Sequence, residues 1–426
     1  MRRDSATEGT KIGDTGKTRF SAETAILLFV AASAMVGLAS GFSDSILANY
    51  FKEAYDVNAQ QRGFIELPRE LPGIVSILFI ALLAAFGNIR SAIVAQVLCV
   101  AGLVVLGFTR PSFSVMLLFL FIYSSGVHMF MPLGDSIGLS LAKHSDMGRV
   151  MGRINSARMA FLMLAGVVTF VCFHFGWFSF DAPVLVFLVS AAAFIVVAVL
   201  LVVLYRGYNA DGGETPQTRF VLRKKYLRYY LICALYGGRK QIMYVYSPWV
   251  LIDLLGFRAD TISILSVIGS FIGIFFMPVV GKWIDRHGVR NVMMAEALAF
   301  IAIYVAYGFL SKWVNTHVVV LSGLAMMLVY LLNIVDRMSA QFNMVRAIYM
   351  RSIAVTPEDV TPSLTMGMGI DHVMAVIGSY ACGVVWFRFG PEYVFIIAGL
   401  LSLFNLLAAW GIKPPSAQLS EKGDVL

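Results

Sequence analysis

Gly281-Lys282-Trp283-Ile284-Asp285-Arg286-His287-Gly288-Val289-Arg290 is a charged segment set between two apolar runs, at about 261–280 and 291–310. Each run has about the 20 residues that a helix needs to cross the roughly 30 Å hydrocarbon core of a bilayer. Outward from the segment the pattern repeats. Apolar runs fall at about 317–342, 363–387 and 393–411 on one side. On the other they fall at about 227–253, 183–205, 149–175, 114–141, 90–108, 62–86 and 25–51. The spacing predicts an all-α membrane protein with twelve transmembrane helices.

Composition agrees. Hydrophobic residues make up 59% of the 426 and charged residues 14%, with a mean hydropathy of +0.79, where soluble domains hold about 45–50% and 25%. Long uninterrupted runs exclude a β-barrel, whose strands alternate over about ten residues.

The net charge of +8 is not a nucleic-acid signal, because the basic residues sit in alternate loops. With the N-terminus inside, 22 of the 33 Lys and Arg lie in inside segments, six outside and five within spans. This bias places both termini in the cytoplasm. The polar stretch Arg206–Arg228, with Asp211-Gly212-Gly213-Glu214-Thr215-Pro216 followed by Arg223-Lys224-Lys225, reads as a cytoplasmic linker. The expected organisation is a tail over 1–24, a six-helix bundle over 25–205, a linker over 206–227, a second six-helix bundle over 228–411 and a tail over 412–426. The bundles are pseudo-symmetric. Met151-Gly152 recurs as Met366-Gly367, and Phe173-His174-Phe175-Gly176 as Phe387-Arg388-Phe389-Gly390, at offsets of 215 and 214, which lays the fifth helix over the eleventh as parallel repeats require.

With these features in place, the segment 281–290 resembles the G-x-x-x-D-R-x-G-x-R loop of the major facilitator superfamily of transporters. The resemblance implies that fold, of two six-helix bundles, in an integral multi-pass protein of a bacterial plasma membrane acting as a monomer. It further implies that the Asp285 carboxylate, with Arg286 and Arg290 beside it, braces the halves against Arg149 and Arg153 in the outward-open state. Gly281 and Gly288 permit a tight turn and close helix approach. The equivalent first-half loop, Gly87-Asn88-Ile89-Arg90, has no acid, so a symmetric brace is not expected.

Ionisable residues at membrane depth cost several kcal/mol each and are functional candidates. In this fold the first, fourth, seventh and tenth helices line the central cavity, so the resemblance turns Asp44, His128, Arg239 and Lys240 toward it. One reading gives Arg239, Lys240 and Arg158, with His128, Tyr236 and Tyr244, to an anionic group of the substrate. Arg239 then faces the cavity, and Lys240 pairs with Asp44 or an acid of the second helix. The other makes the cations members of a fixed network with Asp44, Glu66 or Glu70. Glu66, Arg69 and Glu70 have the spacing for local pairing on one helix, and Pro68 and Pro72 mark that segment as a helix start or kink. Asp44 and the adjacent Asp371 and His372 are the proton-coupling candidates.

The expected function is secondary active transport of a small organic solute by alternating access, coupled to protons. A drug or xenobiotic exporter is the alternative within transport, and a membrane receptor or enzyme on the same scaffold the alternative outside it. No nucleophile triad, P-loop or His-rich motif occurs, and Cys99, Cys172, Cys233 and Cys382 lack metal-type spacing, so no enzyme activity, cofactor or metal is expected. No cleavable signal peptide is read, since about twenty polar residues precede the first apolar run. Cysteine-accessibility labelling from outside is expected to reach a probe at Arg258 and to miss one at Thr215; the reverse pattern would invert the topology.

Overall fold

The computed structural model describes residues 20–83, 86–142, 146–208, 222–316, 323–338, 342–356 and 359–412. The N-terminal tail up to Arg19, the linker from 209 to 221 and the C-terminal tail from Lys413 lie outside them. Among the described residues every long element is a helix. In chain order these are α1 (Ala22–Asp44), α2 (Leu47–Tyr55), α3 (Ala59–Leu83), α4 (Asn88–Phe108), α5 (Phe113–Leu141), α6 (Met147–His174) and α7 (Leu185–Gly207). A second set follows as α8 (Leu227–Trp249), α9 (Ala259–Asn315), α10 (Leu324–Met338), α11 (Asn343–Ile353), α12 (Val360–Phe389) and α13 (Pro391–Trp410). Among the described residues, eight helical stretches are long and apolar enough to cross a bilayer. Helices α3 and α8 have the length but not the apolarity, because they carry Arg62, Glu66, Arg69 and Glu70, and Arg228, Arg239 and Lys240.

Local chemistry sets the element ends. Ser21 caps α1, its Oγ accepting the Thr24 N–H at 3.1 Å. The first membrane helix breaks after Asp44 and resumes at Leu47, and α8 passes after Pro248 into a π-helical turn, Val250–Leu254. The 57-residue α9 is two spans folded at Gly288, whose φ of 76° an L side chain resists. This corrects the expected loop at 281–290. Gly281 is helical, and a β-carbon there would come no nearer than 3.9 Å to Met344, so the turn belongs to Gly288 alone. Of the expected tenth span, about 317–342, the described helix is α10, and α11 follows it; residues 317–322 and 339–341 lie outside the described residues. The segment Asn343–Ile353 is helical because Val345, Tyr349, Met350 and Ile353 form an apolar stripe that packs with Val280 and Ile284. Near the start of α12, Asp359 accepts from the Tyr226 hydroxyl at 2.7 Å and pairs with Arg223 at 2.8 Å. The hydroxyl first, and then the guanidinium, hold this carboxyl below its ordinary value.

In the first half α1 packs on α6 and α7, α4 on α5 and α7, and α3 on α5; in the second α9 packs on α13 and α10, and α8 on α12 and α13. The halves meet where α3 lies on α12 and α6 on α9. The second helix of each half thus packs the fifth of the other. Helices α6 and α12 start 213 and end 215 residues apart, in line with the offsets of the short sequence repeats.

Inter-half contacts run from one end of the molecule to its middle. At the end, Lys52 pairs with Asp253 at 2.7 Å, Asn49 donates to the Phe257 carbonyl at 2.9 Å, and His174 lies 3.6 Å from Asp260. Further in, Gly63 lies under the Ser379 carbonyl and Gly73 under His372.

Small residues let helices approach in a medium where hydrophobicity does not drive them together. A β-carbon at Gly37 would overlap the Arg158 carbonyl, whereas one at Gly152 would meet nothing within 4 Å. Gly37→Val is therefore expected to destabilise by about 1–3 kcal/mol or more, read as a lowered melting temperature in detergent. Gly152→Ala is the control and should leave it unchanged.

Candidate transport site between the two halves

The charged turns of α3 and α8 face each other across the middle of the molecule. Glu66 is fully buried. It accepts from Arg62 and Arg69 of its own helix, the latter at 2.8 Å, and from Gln241 Nε2 of α8 at 2.7 Å. An ionised carboxylate away from water needs this many donors. The i,i+3 pairing of Glu66 with Arg69 is the expected local one; the contribution of Gln241 from the other half is a tertiary fact. Glu70 stays near enough to Arg69 to act on its charge, and its Oε2 lies 2.8 Å from His372 Nδ1 on α12. Next to Pro68 and Pro72, the Arg69 carbonyl accepts from the Ser124 hydroxyl at 2.5 Å, as carbonyls in proline-disturbed membrane helices require.

The two adjacent cations of α8 go to different places, as residues about 100° apart on a helix must. Lys240 donates to Asp371 of α12 at 2.7 Å and is 16% exposed. Its expected partner, Asp44 or an acid of the second helix, is thereby corrected to Asp371. Arg239 is 1% exposed and pairs with Glu296 of α9 at 2.5 Å, wholly inside the second half. Its Nε and Nη1 have no hydrogen-bond acceptor, but the rings of Phe300 and Tyr236 lie 4.1 and 5.2 Å from its guanidinium carbon and supply a cation–π environment. The cavity position expected for Arg239 is corrected accordingly: in this conformation it is enclosed, and the buried Tyr236 belongs to its enclosure.

Asp371 and His372, expected to act together, point apart, one to Lys240 and the other to Glu70. His128 binds the Ser124 carbonyl through Nδ1 at 2.9 Å, and its ring stands 5.3 Å from that of His372. Asp44, at the break between α1 and α2, is exposed and accepts from the Tyr123 hydroxyl at 3.1 Å. Arg158 is exposed and donates to Asn155 at 3.2 Å, and Tyr244 is 47% exposed.

The segment around Asp285 is not braced here. Asp285 and Arg286 are exposed, as are Arg149 and Arg153 on α6, and Arg290 is half-buried. Asp285 has no ion pair among the described residues. The expected contact with Arg149 and Arg153 is thus absent from a conformation whose halves join over the opposite end.

Sequence reasoning placed Gln241 beside Arg239 and Lys240 without a partner, and passed over Glu296, Ser124 and Gly73. Glu296 carried a usable signal, being an acid inside an apolar run; the other two become significant only through partners on other helices.

A family model, the Major Facilitator Superfamily, matches residues 28–355. No curated protein matches the sequence. Among solved structures, the chain is similar to the nucleoside transporter NupG, at 15% identity with a TM-score of 0.74, over 91% of this chain and 100% of that one. It is also similar to the inward-open xylose transporter XylE from E. coli, at 14% identity and a TM-score of 0.67, over 92% and 97%. A third likeness, to an auto-inhibited peptide transporter of the POT family, has 12% identity and a TM-score of 0.66 over 93% and 97%.

If Arg239 and Glu296 form a closed structural pair, Arg239→Gln leaves a buried carboxylate uncompensated and costs about 3–5 kcal/mol. The expected result is a loss of folded protein, restored in the double variant Arg239→Met with Glu296→Leu. Normal melting of Arg239→Gln with weakened solute binding would return Arg239 to the cavity.

Proposed function

The chain belongs to the Major Facilitator Superfamily and is an integral, multi-pass membrane transporter rather than an enzyme; from this and the geometry above we propose that it carries a small polar, uncharged solute by alternating access, coupled to protons through Asp44. The observation that carries the reading is the matching of charge inside each half at the middle of the molecule. Arg62 and Arg69 are met by Glu66 and the nearby Glu70, Lys240 by Asp371 and Arg239 by Glu296, four cations to four carboxylates. An anion would find these four cations already neutralised, and the remaining one, Arg158, has Asp135 near it, which weighs against the expected anionic substrate. A solute rich in hydroxyl groups needs no net charge from its site, and the exposed Arg158 and Tyr244 offer it hydrogen-bonding groups. The names of two similar structures, a nucleoside transporter and a xylose transporter, accord with that class. An apolar xenobiotic fits less well, because polar and charged side chains fill the middle of the molecule.

In this reading the structure is the inward-open state. The halves close over the end with Lys52 and Asp253, and the Asp285 end, taken as cytoplasmic, is unbraced. Rocking to the outward-open state separates Glu66 from Gln241 and brings Asp285 toward Arg149 and Arg153. Asp44 is suited to proton coupling because it sits at a helix break, exposed, where it accepts from the neutral Tyr123 hydroxyl and lies within reach of the Arg69 charge.

Two measurements test the proposal. Nucleosides and pentoses, rather than small carboxylates, should raise the melting temperature of the purified protein, as a bound ligand must; stabilisation by carboxylates alone would restore the anionic substrate. In proteoliposomes Asp44→Asn should abolish accumulation driven by a pH gradient while keeping solute exchange. Wild-type accumulation would place the coupling elsewhere.

A further inference from the structure

Three side chains to which the transport reading assigns no step meet at the contact of α3 with α12. They are Glu70 on α3, His128 on α5 and His372 on α12, and their ligand atoms all lie within 4.8 Å of one another. Glu70 Oε2 and His372 Nδ1 are 2.8 Å apart, and the two imidazole rings stand at 71° with centroids 5.3 Å apart. Gly73, one turn along α3 from Glu70, makes the room. A β-carbon there would fall 2.8 Å from His372 Nδ1 and 2.9 Å from His128 Cδ2.

The hydrogen bonds fix His128 in a ligating form. Its Nδ1 is 2.9 Å from the Ser124 carbonyl, which can only accept, so Nδ1 carries the hydrogen. The Ser124 hydroxyl, 3.1 Å from the same nitrogen, has its own hydrogen committed to the Arg69 carbonyl. Nε2 is left with a bare lone pair. A histidine anchored through one ring N–H to a backbone carbonyl, with the other nitrogen free, is the arrangement that orients metal-bound imidazoles.

We propose that Glu70, His128 and His372 form a binding site for a divalent transition-metal ion of the zinc class, which bridges the two halves. Two imidazoles and one carboxylate suit such an ion, whereas magnesium and calcium take all-oxygen sets. At metal–ligand bonds of about 2.0–2.1 Å the ligands of a tetrahedral ion lie roughly 3.3 Å apart, so small side-chain rotations close the cluster and leave a fourth position for water. The ion takes the place of the proton shared by Glu70 and His372, which passes to solvent. Glu70 and His372 are 13% and 22% exposed, so an ion can reach them. Because His372 belongs to the second half and the other two ligands to the first, the full set exists only while α3 and α12 touch as they do here. Binding therefore favours this conformation and arrests the transport cycle. The ligands, 302 residues apart at the extremes, form no sequence motif, which is why none was expected.

Purified full-length protein titrated with zinc chloride is the test; its binding readouts need no transported solute, so they stand or fall apart from the substrate reading, and only the transport block uses one. One ion per chain is expected, with a raised melting temperature, no response to magnesium, and a block of transport in proteoliposomes that a chelator reverses. His128→Gln and His372→Gln should each weaken binding by more than the about 10- to 100-fold that loss of an outer-shell partner costs. X-ray absorption on the zinc-loaded wild type should show nitrogen and oxygen ligands, a readout that holds even if a variant fails to fold. No binding by the wild type, wild-type affinity in both folded variants, sulfur ligation, or full-rate transport by zinc-saturated protein would each overturn the proposal.

Discussion

The Glu66 carboxylate is the constraint around which the middle of this protein is arranged. A fully buried anion in a membrane interior survives only if donors surround it. Two come from its own helix, Arg62 and Arg69, and the third from Gln241 in the other half. The local pair is set by helical spacing and holds whenever α3 is formed. The Gln241 bond depends on how the halves are docked. One buried group thus combines a permanent element with a conditional one, and a carrier that alternates between two states needs both.

The remaining charges divide along the same line. Arg239 with Glu296 and Lys240 with Asp371 are pairs inside the second half, so they move with it as a body. Glu70 with His372, and Lys52 with Asp253, cross between halves and must part when the halves rock. The cost of separating charges in a low dielectric falls on few contacts. Close backbone contacts such as Gly37 on α6 and Gly126 on α4 stiffen the first half internally, so motion is directed to the seam between the halves.

The irregular stretches are also placed with purpose. Asp44 sits at the break in the first membrane helix, and the π-helical turn at Val250–Leu254 interrupts the corresponding helix of the second half, with Asp253 in it. Broken helices at membrane depth expose backbone groups that only an interior or a water-filled space can satisfy. Their occurrence at equivalent places in the two halves fits the internal repeat, and Lys52 with Asp253 joins them across the seam.

Sequence by itself determined that the chain is helical and lives in a membrane, roughly where its helices run and to which family it belongs, because apolar length and a short turn motif are local properties. It also marked Glu66, Arg69, Glu70, Lys240, Asp371 and His372 as groups needing partners, because burial of charge is costly wherever it occurs. It could not assign the partners. Arg239 and Lys240 are neighbours in sequence, yet one is sealed against Glu296 and the other reaches Asp371; Asp371 and His372 likewise diverge. Which acid meets which base depends on helix rotation and on how two bundles dock. Those are fixed by packing summed over many residues, and no single stretch of sequence encodes them.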